Sequence, residues 1–347
     1  MEKADVLSLF PEELEQLALS LGEKKYRGKQ IFDGLYHGAK HFSEITGLPK
    51  AFVAKLEEAA EIRSAMTERK LVSQIDGTVK FLFCLQDGEA VESVFMRYKH
   101  GNTICISTQV GCRMGCSFCA STKAGLKRSL TASEMLLQVL GAERETGEKV
   151  SNIVLMGMGE PLDNYDNVMR FLRLVNLEKG MNIGMRHISL STCGLVEKMD
   201  RLAEENLQLT LSVSLHAPTT EKRKAIMPVA NKYTVEELMA ACDRYTAKTG
   251  RRISYEYALI AGVNDTSKDA HEVGRLLKGR LAHLNLIPVN PIKERDFKKS
   301  GQEAIKKFVE IIENDYKISA TVRRKLGGDI DASCGQLRAS REEEKRQ

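Results

Sequence analysis

From Cys105 to Arg323 the chain alternates between short apolar runs of strand character and longer stretches whose apolar residues recur at three and four. Amphipathic Thr131–Glu145 precedes apolar Ser151–Met156, helical Asp166–Leu177 precedes His187–Thr192, and Val196–Glu205 precedes Gln208–His216. Thr234–Thr249, opened by an N-cap Thr234 with Glu237 three residues on, precedes Arg252–Ile260. Lys268–Lys278 precedes His283–Val289, and Gln302–Asn314 precedes Lys317–Arg323. Such alternation requires parallel strands joined by right-handed helical crossovers. Counted from the Cys105 strand there are about six βα units, fewer than the eight that close a TIM barrel, so an α/β fold built on an open, partial (β/α)6 barrel is expected. In that architecture ligands gather where the strands end and the loops begin.

Ahead of the alternation, residues 1–70 read as a small helical unit: Pro11–Leu21, Tyr26–Tyr36 and Pro49 to about Ala60. Lys24, Lys25, Arg27 and Lys29 stand there beside Tyr26 and Tyr36, a composition suited to RNA phosphates and bases and equally to a soluble helix. Residues 71–98 change to period two with the turn Asp87-Gly88, a β-meander leading into a core over 99–338, and 339–347 form a charged tail. The N-terminus has no basic segment followed by an apolar one, and no run approaches the roughly 18 apolar residues of a membrane span. A cytoplasmic protein without a membrane partner is expected. Eight cysteines in a chain of this kind point to metal binding, catalysis or packing rather than to disulfides. The net charge of +5 is modest. Basic clusters recur in predicted loops, however: Lys123, Lys127 and Arg128; Lys222, Arg223 and Lys224; Lys293, Arg295, Lys298 and Lys299; Arg323, Arg324 and Lys325. Each is explained by solvation alone, while together they suit a phosphate-binding rim.

Cys112-Arg-Met-Gly-Cys116-Ser-Phe-Cys119 gathers three thiols in one loop after the strand-like run Thr103–Val110, with no fourth Cys or His nearby. A structural zinc site draws four ligands, usually as two pairs, and would need a remote fourth here. Three thiolates on a four-iron cluster leave one iron open to chelate the amino and carboxylate groups of S-adenosylmethionine (SAM) and to pass an electron to its sulfonium, releasing a 5′-deoxyadenosyl radical. The loop therefore resembles the cluster loop of radical SAM enzymes.

The strand after it ends in Met156-Gly-Met-Gly-Glu-Pro161. Gly159 lets backbone approach a ligand, and Glu160 suits a positively charged amino group such as that of SAM. Ser191 with Thr192, Ser214-Leu215-His216 and Asn290 stand at the ends of further strands. Each is a candidate for the ribose, carboxylate or adenine of SAM, and each taken singly is also an ordinary capping group. Cys334, in Asp329-Ile-Asp-Ala-Ser-Cys-Gly-Gln-Leu337, sits in a polar, glycine-flanked segment where either a filler or a reactive thiol is possible. Taken alone, Cys105 reads as a core residue, Glu92 as a solvent-facing strand residue, and Cys84, Cys193 and Cys242 as packing.

Cys112–Cys119, the Met-Gly-Met-Gly-Glu-Pro loop, Ser214–Pro218, Asn285–Asn290 and Asp329–Leu337 together resemble the RlmN/Cfr family of radical SAM RNA methyltransferases, from about Tyr26 to Arg338. RlmN members methylate carbon 2 of an adenosine in 23S rRNA, at the peptidyl-transferase centre, and in some members an adenosine next to the tRNA anticodon; Cfr members methylate carbon 8. Pro161 after Gly-Glu and Val110 before the loop's glycine favour the RlmN pattern. The resemblance implies a [4Fe-4S] cluster on Cys112, Cys116 and Cys119, two SAM molecules per turnover, and an electron donor such as flavodoxin or ferredoxin. It implies SAM contacts from Gly159, Glu160, Ser191, Ser214, Leu215, His216 and Asn290. It further implies that Cys334 carries the transferred carbon, that Glu92 accepts a proton, and that Cys105 attacks the Cys334 sulfur to free the product through a transient disulfide. The protein is expected to act as a monomer. The non-enzymatic alternative is an iron–sulfur or zinc RNA-binding protein.

Overall fold

The computed structural model describes residues 3–289, 297–330 and 332. At the N-terminus, β1 (Ala4–Asp5) pairs with β2 (Ala60–Glu61) and brackets α1 (Pro11–Ser20), α2 (Tyr26–Tyr36) and α3 (Lys50–Ala59). Leu14, Ile31, Phe32, Phe52 and Leu56 supply the buried face of this bundle. Gly28 is where α2 crosses α1, since a Cβ there would meet the backbone of Glu15 at 2.4 Å.

One open sheet of ten strands organises the rest, in the order β14-β13-β12-β11-β10-β9-β6-β5-β4-β3. Its antiparallel part is β3 (Ala65–Val72), β4 (Val79–Leu85), β5 (Ala90–Tyr98) and β6 (Gly101–Cys105). The short hairpin β7 (Gln109–Gly111) and β8 (Leu126–Ser129) encloses the cysteine loop and leads to α4 (Ala132–Thr146). Then β9 (Asn152–Leu155), α5 (Tyr165–Asn176), β10 (Ile188–Thr192), α6 (Val196–Glu204), β11 (Thr210–Ser214), α7 (Thr220–Ile226) and α8 (Val235–Thr249) follow. β12 (Ile253–Leu259), α9 (Ser267–Leu277), β13 (Ala282–Pro288), α10 (Gln302–Glu310) and β14 (Ser319–Val322) complete it. Within the ten-stranded sheet, all pairs from β6 across to β14 are parallel. The expected open six-unit barrel is thus present, closed by neither edge. Helix ends follow local chemistry: Thr131 with Glu134 and Thr234 with Glu237 form capping boxes, and Gly147 and Gly250 end the same two helices in the left-handed region.

Three local differences from the sequence reading have physical causes. The first meander strand begins at Ala65 rather than at residue 71, because Glu68, Arg69 and Lys70 mask its period on an exposed edge that also bulges between Thr67 and Arg69. The meander is continuous with the barrel sheet: Val94 pairs with Cys105 across β5 and β6, and Phe81, Phe83 and Phe95 join the main core. The run Thr103–Val110 is two strands, broken where Ser107 bonds Gln138 of α4 and the Glu92 carbonyl. Near the end of the described chain, Asp329 accepts hydrogen bonds from Ser73 and from the Gln74 amide, and Asp76 accepts one from the Gly327 amide. This ties the last segment to the β3–β4 turn.

Candidate active site

Alternation along the antiparallel strands sends Phe81, Phe83, Ser93 and Phe95 to the helix side and Lys80, Glu92, Val94 and Met96 to the inner face. Glu92 is therefore not solvent-facing as its sequence context suggests: it is 3% exposed and ion-paired at 3.0 Å with Lys80, itself 1% exposed. Two carboxylate and ammonium charges so removed from water persist only when paired. Beside them Cys105 is buried against Val94 and Met96, with Val154, Met156, Leu326 and Ala332 packed around it.

A cavity of about 280 Å3 opens at the C-terminal ends of the parallel strands, and Cys112, Cys116 and Cys119 line it together with Gly159, Glu160, Ser191, Ser214 and His216. Eight sequence-derived candidates from four segments thus meet in one place, as the end-of-strand rule requires. Met156 lines this cavity and also packs on the Cys105 patch, so the two adjoin. Leu215 is different: its side chain is buried in the main core and its carbonyl is held by Arg223. Asn290 and Cys334 lie outside the described residues.

The cysteine loop is held by backbone. Cys112 N donates to Gly125 O, Cys119 N to Cys116 O, and Ser117 N to Ile226 O at the end of α7. Thr122 donates its hydroxyl to the carbonyls of Cys116 and Cys119. Arg113 and Gln109 both bond Asp163, linking this loop to the Gly-Glu-Pro turn. Burial pushes the Cys112 thiol up to about 12 and Cys116 higher still, so a positive metal centre is what would draw thiolates from them. None of the three is in a disulfide. The donor set fits a cluster bound by three thiolates with one position open to the cavity.

Glu160 is buried, and its two oxygens accept from the amides of Leu162 and Cys193. Burial raises its carboxyl above the ordinary range against the pull of those donors. A cationic amino group in the cavity would restore its charge. Gly159 holds φ +102°, and a Cβ there would fall 2.6 Å from the Gln109 Cβ; Gly157 would place one 2.6 Å from the Ile106 carbonyl oxygen. The turn is therefore closed to larger residues. His216 also adopts positive φ. Its Nδ1 accepts from the Ala258 amide at 2.9 Å, leaving the proton on Nε2 as a donor, and burial with the nearby Arg223 lowers the ring to about 3.

Sequence reasoning missed Glu256, a buried carboxylate lining the cavity and bonded to Ser254 and Asn285. A charge inside the apolar run Tyr255-Glu-Tyr257 of a parallel strand was a readable signal. Cys193, expected to be packing, does pack on Cys116 and also lines the cavity. Part of the basic rim is committed elsewhere: Lys127 pairs with Glu89, Arg128 with Asp87 and Glu134, and Lys222 with Asp269. Arg223 has no exposed surface and cannot touch RNA. Arg323 remains exposed at the cavity wall. No described helix is long and apolar enough to cross a membrane.

Comparison with known proteins agrees with this geometry. Residues 106–273 match the radical SAM superfamily model, and residues 4–62 match the ribosomal RNA large subunit methyltransferase N-terminal domain. The chain is 53% identical over 338 residues to a probable dual-specificity RNA methyltransferase RlmN of Alkaliphilus metalliredigens, covering 97% of this chain and 96% of that protein. It is 54% identical over 337 residues to a protein of the same description from Clostridium perfringens, covering 97% of each. A crystal structure of a radical SAM methyltransferase from Sphaerobacter thermophilus superposes with a TM-score of 0.91 at 44% identity, covering 96% of this chain and 99% of that one.

Proposed function

Because the chain belongs to the RlmN family of radical SAM RNA methyltransferases, we propose that it methylates carbon 2 of an adenosine in 23S rRNA, at the peptidyl-transferase centre, and of the adenosine next to the anticodon in tRNA. Carbon 2 is an electron-poor sp2 centre without a lone pair and cannot attack a sulfonium methyl directly. When bound, the cluster and SAM supply a carbon radical able to take hydrogen from a methyl group.

The chain's own residues do the rest. Gly159, Glu160, Ser191, Ser214, His216 and Asn290 hold SAM: Glu160 takes the amino group, and the Nε2–H of His216 offers a donor whose protonation does not vary near neutrality. Cys334 accepts a methyl group from a first SAM by displacement, its thiol proton leaving to solvent, and loses hydrogen from that group in a second SAM-dependent step. The sulfur-bound carbon then adds to adenine. Glu92 removes the carbon-2 proton as the adduct gives up its odd electron to the electron-carrying partner protein; the Cys105 thiolate then attacks the Cys334 sulfur, forming a disulfide as the carbon–sulfur bond breaks with its electron pair on carbon, which takes a proton to become the methyl group. The two SAM molecules are used in sequence. The helices of residues 1–70 and the exposed Arg323–Lys325 run dock RNA phosphates, and a flavodoxin- or ferredoxin-type protein supplies electrons to a monomeric enzyme.

One observation carries this reading: Met156 joins the cysteine-lined cavity to the Cys105 patch, and Ala332, two residues before Cys334, packs on that same patch. The test is a denaturing gel. Cys105→Ala should carry covalently bound RNA, and Cys334→Ala should carry none. A Cys105→Ala protein that turned over normally, free of RNA, would return Cys105 to the role of a core residue. Carbon 8 as the site of label, read by NMR of the modified nucleoside, would place the chain with Cfr.

A further inference from the structure

Arg223 stands between half-buried Lys222 and exposed Lys224, yet its own side chain is fully buried. The fold spends its donors on main chain: Nε bonds the Leu215 carbonyl at 3.1 Å, and Nη2 bonds the carbonyls of Cys193 at 2.6 Å and Ser214 at 3.0 Å. Nη1 has no hydrogen-bond partner among the described residues. Nor does any carboxylate among the described residues pair with it. A guanidinium taken out of water without an anion costs several kcal/mol, and the burial is severe enough to lower even this group's affinity for its proton.

The missing anion has an evident place. The ionisable groups near enough to act on Arg223 are the thiols of Cys193, Cys116 and Cys242. Of these only Cys116 is a ligand of the cysteine loop. The contact between α7 and that loop is direct, because Ile226 O accepts from Ser117 N at 2.8 Å and Ile226 packs with Cys116, Cys193, Ala217 and Met227. Arg223 does not line the cavity. Its partners Cys193 and Ser214 do, so the arginine lies behind the wall and is separated from SAM by the strand ends it holds.

We propose that Arg223 is the buried counter-charge of the iron–sulfur cluster, a positioning residue that offsets the thiolates and favours uptake of the electron later passed to SAM. The inference rests on the reading that Cys112, Cys116 and Cys119 hold that cluster. An oxidised four-iron core carries less positive charge than three thiolates bring negative, so the loaded loop is anionic and becomes more so on reduction. A fixed cation in a low-dielectric wall stabilises the reduced form more than the oxidised one.

The experiment uses full-length protein reconstituted anaerobically, with Arg223→Lys, Arg223→Gln and Arg223→Met beside the wild type. Iron and sulfide content reports loading, and a redox titration followed by EPR without SAM reports the midpoint potential. Both neutral variants should titrate at more negative potential, with a reduced-to-oxidised ratio at least tenfold lower at fixed potential. That corresponds to about 59 mV for a one-electron couple. Arg223→Lys should stay near the wild type. A neutral variant that loads fully and keeps the wild-type potential overturns the inference, as does a lysine variant displaced as far as the glutamine one. If neither neutral variant holds a cluster, the lysine variant decides: normal loading upholds the need for charge, and failure shows that the bonds to the three carbonyls are what matter. A wild type without a four-iron cluster removes the premise, and iron content reads that separately from any shift in potential.

Discussion

Replacing Lys80 with Met keeps most of the side chain's volume and removes its charge from a pair that is almost wholly buried. The ammonium stands 3.0 Å from a Glu92 oxygen. At an effective dielectric of about 20 that attraction is about 5.5 kcal/mol, and removing one member of a buried pair costs about 3–5 kcal/mol. Lys80→Met should therefore lower unfolding free energy by several kcal/mol, read from the urea midpoint of the anaerobic protein by far-ultraviolet circular dichroism. Glu92→Gln should cost a comparable amount. The double variant Lys80→Met/Glu92→Gln should cost far less than the two together, giving a coupling energy of about 2–3 kcal/mol in a double-mutant cycle. Methylation should be lost in Glu92→Gln and in the double variant alike, however much stability returns, because the proposed proton acceptor is absent from both. Additive single costs, or a Lys80→Met protein within about 0.5 kcal/mol of the wild type, would refute the claim that this pair is a charged and desolvated unit.

Gly159→Ala forces a Cβ against Gln109 at φ +102°, a strain of about 1–3 kcal/mol; SAM affinity by equilibrium dialysis should fall about 5- to 150-fold with the fold intact, and unchanged affinity would mean the turn relaxes freely. Replacing any one of Cys112, Cys116 or Cys119 with Ala should abolish reductive SAM cleavage, whereas a fully active protein holding stoichiometric zinc would sink the cluster reading. Because the folded His216 ring titrates at about 3 and the unfolded ring near 6.5, the unfolded chain binds one more proton between those values. Stability should fall as pH drops through that window by about 1.4 kcal/mol per pH unit from this group, and His216→Asn should show a correspondingly flatter acid limb in urea titrations.

The barrel was legible because its period is long and repeated. An error of two residues at any strand end leaves the order of βα units unchanged, and the ligand-bearing positions follow from strand ends alone. The cysteine loop and the Gly-Glu-Pro turn could be read because their chemistry is local in sequence. The burial of Lys80, Glu92 and Arg223 was not legible, since each owes it to neighbours that only the folded chain brings against it. Lys80 and Glu92 each look like an ordinary polar position of a strand until β4 and β5 are paired and both faces covered. Arg223 sits among lysines whose side chains do reach water, and only the turn of α7 sends it inward. Glu256 and Lys80 interrupt runs that are otherwise apolar, and that interruption is the signal to weigh more heavily in chains of this kind.

The bonds from Asp329 to Ser73 and Gln74, and from Gly327 to Asp76, join positions as much as 256 residues apart. On the proposed reading they turn the carbon carrier into a tethered reagent. A thiol on a free chain end would meet Cys105 at the concentration of a loosely held tail, whereas one leaving an anchor packed beside Cys105 meets it at the effective concentration of a short linker, of millimolar order. The rate of product release is then set by where the anchor stands, independent of how much enzyme is present. The same anchor forms late in synthesis, since Ser73 and Asp76 emerge long before Asp329 does. Until that final segment docks, the chain can assemble its cysteine loop but has no placed acceptor for the methyl group.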